Sequence, residues 1–318
     1  VHFPTDLNLA LDCARKCIVT SSRLSQAYAL SGWRKHTNWQ SKTKGFARNC
    51  ARACRGGGKN KAARIETTTK AYLQSLYALE EKVLGTLEQL RALTPSPMLL
   101  IQLSKLGGYH DLLIKHIILI ANRLLEGRTI APKEKLYSIF EQHTEWVQKG
   151  KARPHVELGH RLLIATDQYG IIHDYKIMQG GDEAAEVAPL ADRLIDKLGL
   201  DKIASLSFDR GFSSIENREL LEACMPDAEV VMPKKGKLSA TDKERQKQKK
   251  WRALANKHSA VESNINSLEH HGLDRCPDKG YQAYARYAGL GILAYNLHRI
   301  GNHLIDAQKR ADALSRAA

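Results

Sequence analysis

The sequence predicts a mixed α/β fold, a sheet flanked by helices, with a long helical stretch before it. Three observations predict it. Apolar residues recur at spacings of three and four over roughly the first 120 positions. A hairpin pattern then spans residues 162–178, and a strand–helix–strand pattern spans 203–232 before further helices. Strands followed by a βαβ unit and then helices give a sheet with helices on its faces.

In the first stretch Leu76, Leu79, Val83, Leu87 and Leu90 mark one face of an amphipathic helix, and Pro95 and Pro97 end it. A second run follows, with Leu112, Leu113, His116, Ile117, Ile120 and Leu124 on one side. Residues 137–178 read as strands. Leu162–Ala165 is a continuous apolar run, as in a strand buried on both faces. Asp167–Gly170 is a turn, and Ile171–Met178 alternates, so the two runs read as an antiparallel hairpin.

Glu183–Leu198 reads as a helix with Val187, Leu190, Leu194 and Leu198 on one face. Ile203–Phe208 is a short strand that stops at Asp209-Arg210-Gly211. Ser213, with Glu216 three residues on, predicts a capping box and a helix start. Ala228–Met232 is another strand. Lys234–Lys250 reads as a basic, mobile segment. A helix then runs through Glu262 to a Gly272 cap, and a last helix covers Gly280–Gln308. There is no internal repeat.

The 318 residues carry 49 Lys and Arg against 34 Asp and Glu, a formal charge of +15. An excess of that size points to a polyanionic partner, nucleic acid above all. Its densest part is Trp33–Arg64, which has ten cations, no carboxylate, and Trp33, Trp39 and Phe46 interleaved. Clustered cations displace counterions from DNA, so Arg34, Lys35, Arg48 and Arg52 are candidate phosphate contacts. The blander alternative is a solvated basic face. Lys149 and Lys151, on either side of Gly150, and Arg210 are further candidates.

The chain opens without a charged segment leading into an apolar run, and its longest apolar stretch, near Ile117–Ile120, falls far short of the ~20 residues of a membrane span. The expectation is a cytoplasmic protein with no membrane partner. Six Cys in a chain this long do not suggest a disulfide scaffold. Cys13 with Cys17, and Cys50 with Cys54, sit four apart; they are expected to be buried helical thiols, with a zinc site as the alternative. The four Trp, at 33, 39, 146 and 251, are expected in the core, with base stacking as the alternative.

Asp209 ends a strand, where ligands of open α/β sheets bind, and Gly211 is expected to let the chain turn away sharply. At about 100° per residue, Leu254, Val261, Ile265 and Leu268 form one apolar stripe of the later helix. His258, Glu262, Asn266 and Glu269 form a second, about a quarter-turn away. Glu262 thus flanks the buried stripe and can reach a sheet edge. Two carboxylates there could hold Mg²⁺ or Mn²⁺, which take hard oxygen ligands and serve phosphoryl transfer. Each acid also has a bland role, Asp209 as a turn residue and Glu262 as a partner of a Lys.

These residues carry a resemblance. Val1-His2-Phe3-Pro4-Thr5-Asp6, Thr144–Lys151 with Glu157-Leu158-Gly159-His160, Ser207–Phe212, and His258–Asn266 with His271–Cys276 stand in the order found in DDE transposases of bacterial insertion sequences. The chain resembles that family over nearly its whole length. The resemblance implies a ribonuclease H-like catalytic core, with Asp209 as the second catalytic Asp and Glu262 as the catalytic Glu. It implies metal-dependent DNA cleavage and strand transfer with Mg²⁺ or Mn²⁺, and homo-oligomers on transposon and target DNA.

The expected layout is a remnant of an early core strand at 1–6, a basic helical insertion at 7–130, and the catalytic core with C-terminal helices at 131–318. The family's first Asp is expected upstream of Val1, with Asp6 a second choice and Asp167 a third. Some relatives carry Tyr, Arg and Lys around the Glu; Ala255, His258 and Glu269 stand there in this chain. His258 is either a phosphate- or Glu-orienting group or a surface His. Two other functions stay open: an inactive DNA-binding remnant lacking the first Asp, and a ribonuclease on RNA–DNA hybrids.

Overall fold

The computed structural model describes residues 5–148, 156–234 and 236–317. The chain divides into two compact units, Val1–Trp146 and Val147–Ala318.

The first unit is built on α1 (Asp6–Ala27), α2 (His36–Arg55), α3 (Lys61–Arg91) and α4 (Pro97–Leu124). Each helix packs on the next in chain order, and α4 closes back on α1. The predicted faces are the buried ones: Leu76, Leu79, Val83, Leu87 and Leu90 on α3, and Leu113, Ile117 and Ile120 on α4. Fully burying an aliphatic side chain of this size stabilises by about 1.5–3 kcal/mol. Pro97 does not end a helix but opens α4. Ser96 accepts from the Leu99 amide at 3.2 Å, and proline lacks an N–H that the first turn would leave unpaired. Polar ties fix the packing. Tyr72 donates to the Leu7 carbonyl (3.2 Å), Trp33 donates to Thr86 Oγ1 (2.8 Å), and Arg123 pairs with Asp6 (2.7 Å).

Strand β1 (Glu145–Gln148) pairs with β2 (Val156–Gly159). In the second unit β3 (Leu162–Thr166) and β4 (Ile172–Ile177) form the predicted antiparallel hairpin, with Leu162 opposite Ile177 and a register shift at Thr166. Every residue of β3 is half-buried, not buried on both faces as expected. The cause is a ladder of only two strands. Leu163 and Ala165 pack on one apolar cluster and Leu162 and Ile164 on another, and neither face is closed over completely.

The βαβ unit follows. Helix α5 (Val187–Leu198) precedes β5 (Ser205–Ser207), then α6 (Ile215–Cys224) and β6 (Glu229–Val231), with β5 and β6 parallel and Ser205 opposite Glu229. Their core joins Val187, Leu190, Leu194, Phe208, Leu221 and Val230. The cap of α6 is Ser214, one residue later than predicted; it accepts from the Asn217 amide at 3.0 Å. Ser213 instead closes the preceding 3-10 turn, its N–H donating to the Arg210 carbonyl.

The segment read as mobile holds a helix, α7 (Ala240–Lys247), because Ser239 and Asp242 cap it reciprocally and Lys234 and Arg218 both pair with Asp242. Helix α8 (Lys249–Leu268) rests on β5 and β6 and runs into a wide turn, Glu269–Leu273, where Gly272 has φ 100°. Its buried side chains are Trp251, Asn264 and Leu268, whereas Ile265 is 40% exposed. The apolar stripe predicted through Ile265 is therefore displaced. Asn264 takes the inward position because its Oδ1 accepts the Tyr295 hydroxyl at 2.8 Å. Helix α9 (Tyr281–Ala317) is longer than the predicted Gly280–Gln308. Among the described residues the strands thus form three two-stranded ladders in a helix-rich α/β chain. No helix among the described residues is long and apolar enough to cross a membrane.

Candidate active site

Asp209 lies just beyond the C-terminal end of β5. The Phe208 amide still donates to the Val231 carbonyl (2.9 Å), which extends the ladder to the residue before it. Phe208 is buried and Asp209 is exposed, so the backbone carries the carboxylate out at the strand end as predicted. One oxygen, Oδ1, accepts from the Arg210 amide at 2.6 Å and caps a short 3-10 turn, Arg210–Phe212. The guanidinium of Arg210 makes no ion pair among the described residues; the contact with Asp209 is through the backbone.

Gly211 has a role that differs from the predicted sharp turn, since its φ is not in the left-handed region. A β-carbon there would collide with the carboxylate of Glu183. That carboxylate also pairs with Arg161 at 2.9 Å, and Arg161 donates to the Gly181 carbonyl at 2.7 Å. Glu183 and Arg161 thus support the turn that bears Asp209. Sequence reasoning missed both, and the only signal was the Gly two residues after the acid.

Glu262 is exposed on α8, beside the half-buried Val261. His258, one turn earlier, is half-buried. Helix α8 packs on β5 and β6, the ladder whose end carries Asp209. Among the described residues no group of three or more His, Cys, Asp or Glu is placed to hold a metal ion. The substitute acids have structural partners. Asp6 is 9% exposed in the first unit and paired with Arg123. Asp167 accepts from the Tyr169 and Ile171 amides and pairs with His173 at 3.0 Å, which fixes the hairpin turn. Burial raises the Asp167 carboxyl, but these hydrogen bonds outweigh it and hold the group below its ordinary value.

The basic candidates fall in two places. Arg34, Lys35, Arg48 and Arg52 are all exposed. On α2 the stripe Lys44, Arg48, Arg52, Arg55 lies opposite the buried Thr43, Ala47 and Cys50. None of these six cations has a carboxylate partner among the described residues. Lys149 and Lys151 lie outside the described residues. Trp33 and Trp251 are buried, and Lys82 lies over the Trp33 and Trp39 rings at 5.1 and 5.7 Å. Trp146 is 37% exposed, with its ring 5.5 Å from that of Tyr137. Cys13 and Cys17 are fully buried; burial pushes the Cys13 thiol up to about 12 and raises that of Cys17 as well, so neither is a thiolate at neutral pH.

Asp209 thus stands at the end of parallel strands, and Glu262 is borne by a helix packed on those strands. The family model described as the transposase DDE domain matches residues 129–297, more than half of the chain. The protein belongs to the DDE transposase family. No curated protein and no solved structure matches it.

Proposed function

We propose that the chain is a DDE-type DNA transposase that cuts and joins DNA at the ends of an insertion sequence, with Asp209 and Glu262 as metal-binding carboxylates. The observation that supports this best is the family match across residues 129–297, which takes in both acids. Each is exposed, and neither has a cationic partner among the described residues. A structural carboxylate differs: Asp174 is 3% exposed and held by Arg193 and Lys197.

The donor chemistry of the two acids suits a hard divalent cation, Mg²⁺ or Mn²⁺. When bound, such ions polarise the attacking and leaving oxygens of a phosphodiester. The chain's own residues do the rest. The Arg210 amide orients Asp209 through Oδ1 and leaves its second oxygen without a hydrogen-bond partner among the described residues. The Arg210 guanidinium takes a backbone phosphate near the chemistry, and Lys149 and Lys151 are further phosphate contacts in this reading. Arg34, Lys35, Arg48 and Arg52 hold DNA on the helical unit. In this reading residues 131–318 form a ribonuclease H-like core, residues 7–130 are an insertion, and the protein works as a homo-oligomer in the cytoplasm of a bacterium.

The test is cleavage of end-containing DNA by the purified chain with Mg²⁺. Asp209→Asn and Glu262→Gln should each abolish cutting and spare binding; unchanged cutting by either removes that residue from the site. One observation favours a second reading, a DNA-binding protein without catalysis: no three-acid group stands among the described residues. Binding without metal-dependent cutting by the unmodified chain would establish it.

A further inference from the structure

Helix α9 has two apolar faces, and among the described residues of the second unit only one is packed. Ala288, Ile292 and Tyr295 are buried on the second unit. On the same side Asn296 exchanges two hydrogen bonds with the Ile172 backbone, both 2.9 Å, and Arg299 and His303 reach the Tyr169 carbonyl. On the opposite side Leu290, Leu293, Leu297, Ile300, Leu304 and Leu314 are 45–72% exposed. Their spacings are three, four, three and four, and Ala307 and Ala311 fill the two positions before Leu314. Eight successive positions of a 3.5-residue repeat are therefore apolar. That is the seam of a coiled coil, and small residues within it let two helices approach closely.

From Asn302 to Arg316 every residue of the helix is exposed. Beyond His303, which reaches Tyr169, the helix has no packed face among the described residues; such a stretch is marginal in water, so its last three turns need a partner. We infer that the partner is a second copy of this chain, joined through the α9 seam. Three arguments favour a copy of itself. An a/d seam is self-complementary, and two-fold pairing uses one patch twice. The seam runs for about 36 Å, and its side chains from each helix bury several hundred Å², the scale of the ~800 Å² per partner of a specific interface. The helix end also carries acids and bases in near balance, Asp306 and Asp312 against Lys309, Arg310 and Arg316, unlike the strongly basic chain as a whole. Two copies therefore meet there without a one-signed field. The inference gives the homo-oligomer of the functional reading a surface, but it does not depend on catalysis.

Sedimentation equilibrium of the full chain, without DNA or metal, tests it. The unmodified protein should fit a monomer–dimer equilibrium. Leu297→Asp combined with Leu304→Asp should be monomeric, with unchanged helical circular dichroism. Should that pair of changes disturb folding, Leu304→Asn alone should raise the dissociation constant roughly a hundredfold, since a symmetric seam loses the contact twice. A monomeric unmodified chain at every concentration overturns the inference, whether the seam is covered by the chain's own helical unit or by another protein. So does a variant that associates as tightly as the original. Loss of DNA cutting does not enter the measurement, so a failed catalytic reading and a failed dimer are told apart.

Discussion

The carboxylate of Glu183 occupies the space beside Gly211 that a β-carbon would fill, two residues from Asp209. Gly211→Ala must displace that carboxylate and loosen its pair with Arg161. The pair is about a third exposed on each side (32% and 34%), so its loss should cost less than about 1 kcal/mol. The larger effect should fall on the turn that carries Asp209, seen as slower DNA cutting. A double-mutant cycle checks the cause. Gly211→Ala should impair cutting in the original chain and have little further effect beside Glu183→Ala. Equal effects in both backgrounds would mean that the contact with Glu183 is not the reason for the glycine.

This contact shows where the sequence is legible and where it is not. Helices α3 and α4 can be read from Leu76 to Ile120 because burial of one face repeats every three to four residues. The strand ending at Asp209 can be read because an apolar run stops at a charge. Neither signal reports partners far along the chain. Asn264 faces inward because of Tyr295, 31 positions later, so periodicity alone assigns that place to Ile265. Asp174 is buried because Arg193 and Lys197 reach it from α5, 19 and 23 positions on. The cap of α6 moved from Ser213 to Ser214 because a 3-10 turn, invisible in the spacing, claims the first serine. Which carboxylates share one ion is a question of the same long-range kind. An acid can be placed at a strand end or a helix flank from sequence, but its companions cannot.

His116 should make stability depend on pH. It is fully buried on α4, and its Nδ1 faces the Leu112 carbonyl at 2.7 Å, so Nδ1 carries the proton. Nε2 is buried with no hydrogen-bond partner. Burial pushes the imidazole below its ordinary 6.5, against the opposing pull of the Leu112 carbonyl. The unfolded chain then binds a proton that the folded chain refuses, so stability is full above pH 6.5 and falls as the pH drops toward the folded value. Thermal unfolding of the original chain should weaken from neutral pH toward about pH 5 more steeply than that of His116→Leu. Parallel profiles would mean that the imidazole is not the source.

Asp242 organises α7 and should be felt locally. It accepts from Ser239 through both the hydroxyl (2.6 Å) and the amide (3.2 Å), and it pairs with Lys234 and Arg218. The Ser239 hydroxyl first, then Lys234, hold its carboxyl far below the ordinary 3.8. A depressed carboxyl stabilises the fold above its unfolded value, and that contribution disappears as the pH falls through 3.8 toward the folded value. Asp242→Asn should therefore speed hydrogen exchange of the amides in residues 240–247 at neutral pH and leave α8 protected. Protection of α7 that matches the original chain would show that Ala240–Lys247 holds without its cap.

The basic stripe of α2 makes the most direct prediction about DNA. Lys44, Arg48, Arg52 and Arg55 project from the face opposite the buried Thr43, Ala47 and Cys50, and no carboxylate competes for them among the described residues. Cations of this kind act by releasing counterions, so their contribution is read from salt dependence better than from affinity at one condition. Each phosphate contact adds about 0.9 to the slope of log K against log salt on duplex DNA, so replacing all four with Gln should lower that slope by roughly 3 to 4. The four side chains point to solvent, so thermal unfolding should hardly change. Affinity should fall alike for DNA with and without the end sequence, because phosphate contacts position a protein without reading bases. A changed affinity with an unchanged slope would mean that the stripe acts through folding and not through phosphates. An unchanged slope with unchanged affinity would leave α2 a solvated face and move the DNA surface to the second unit.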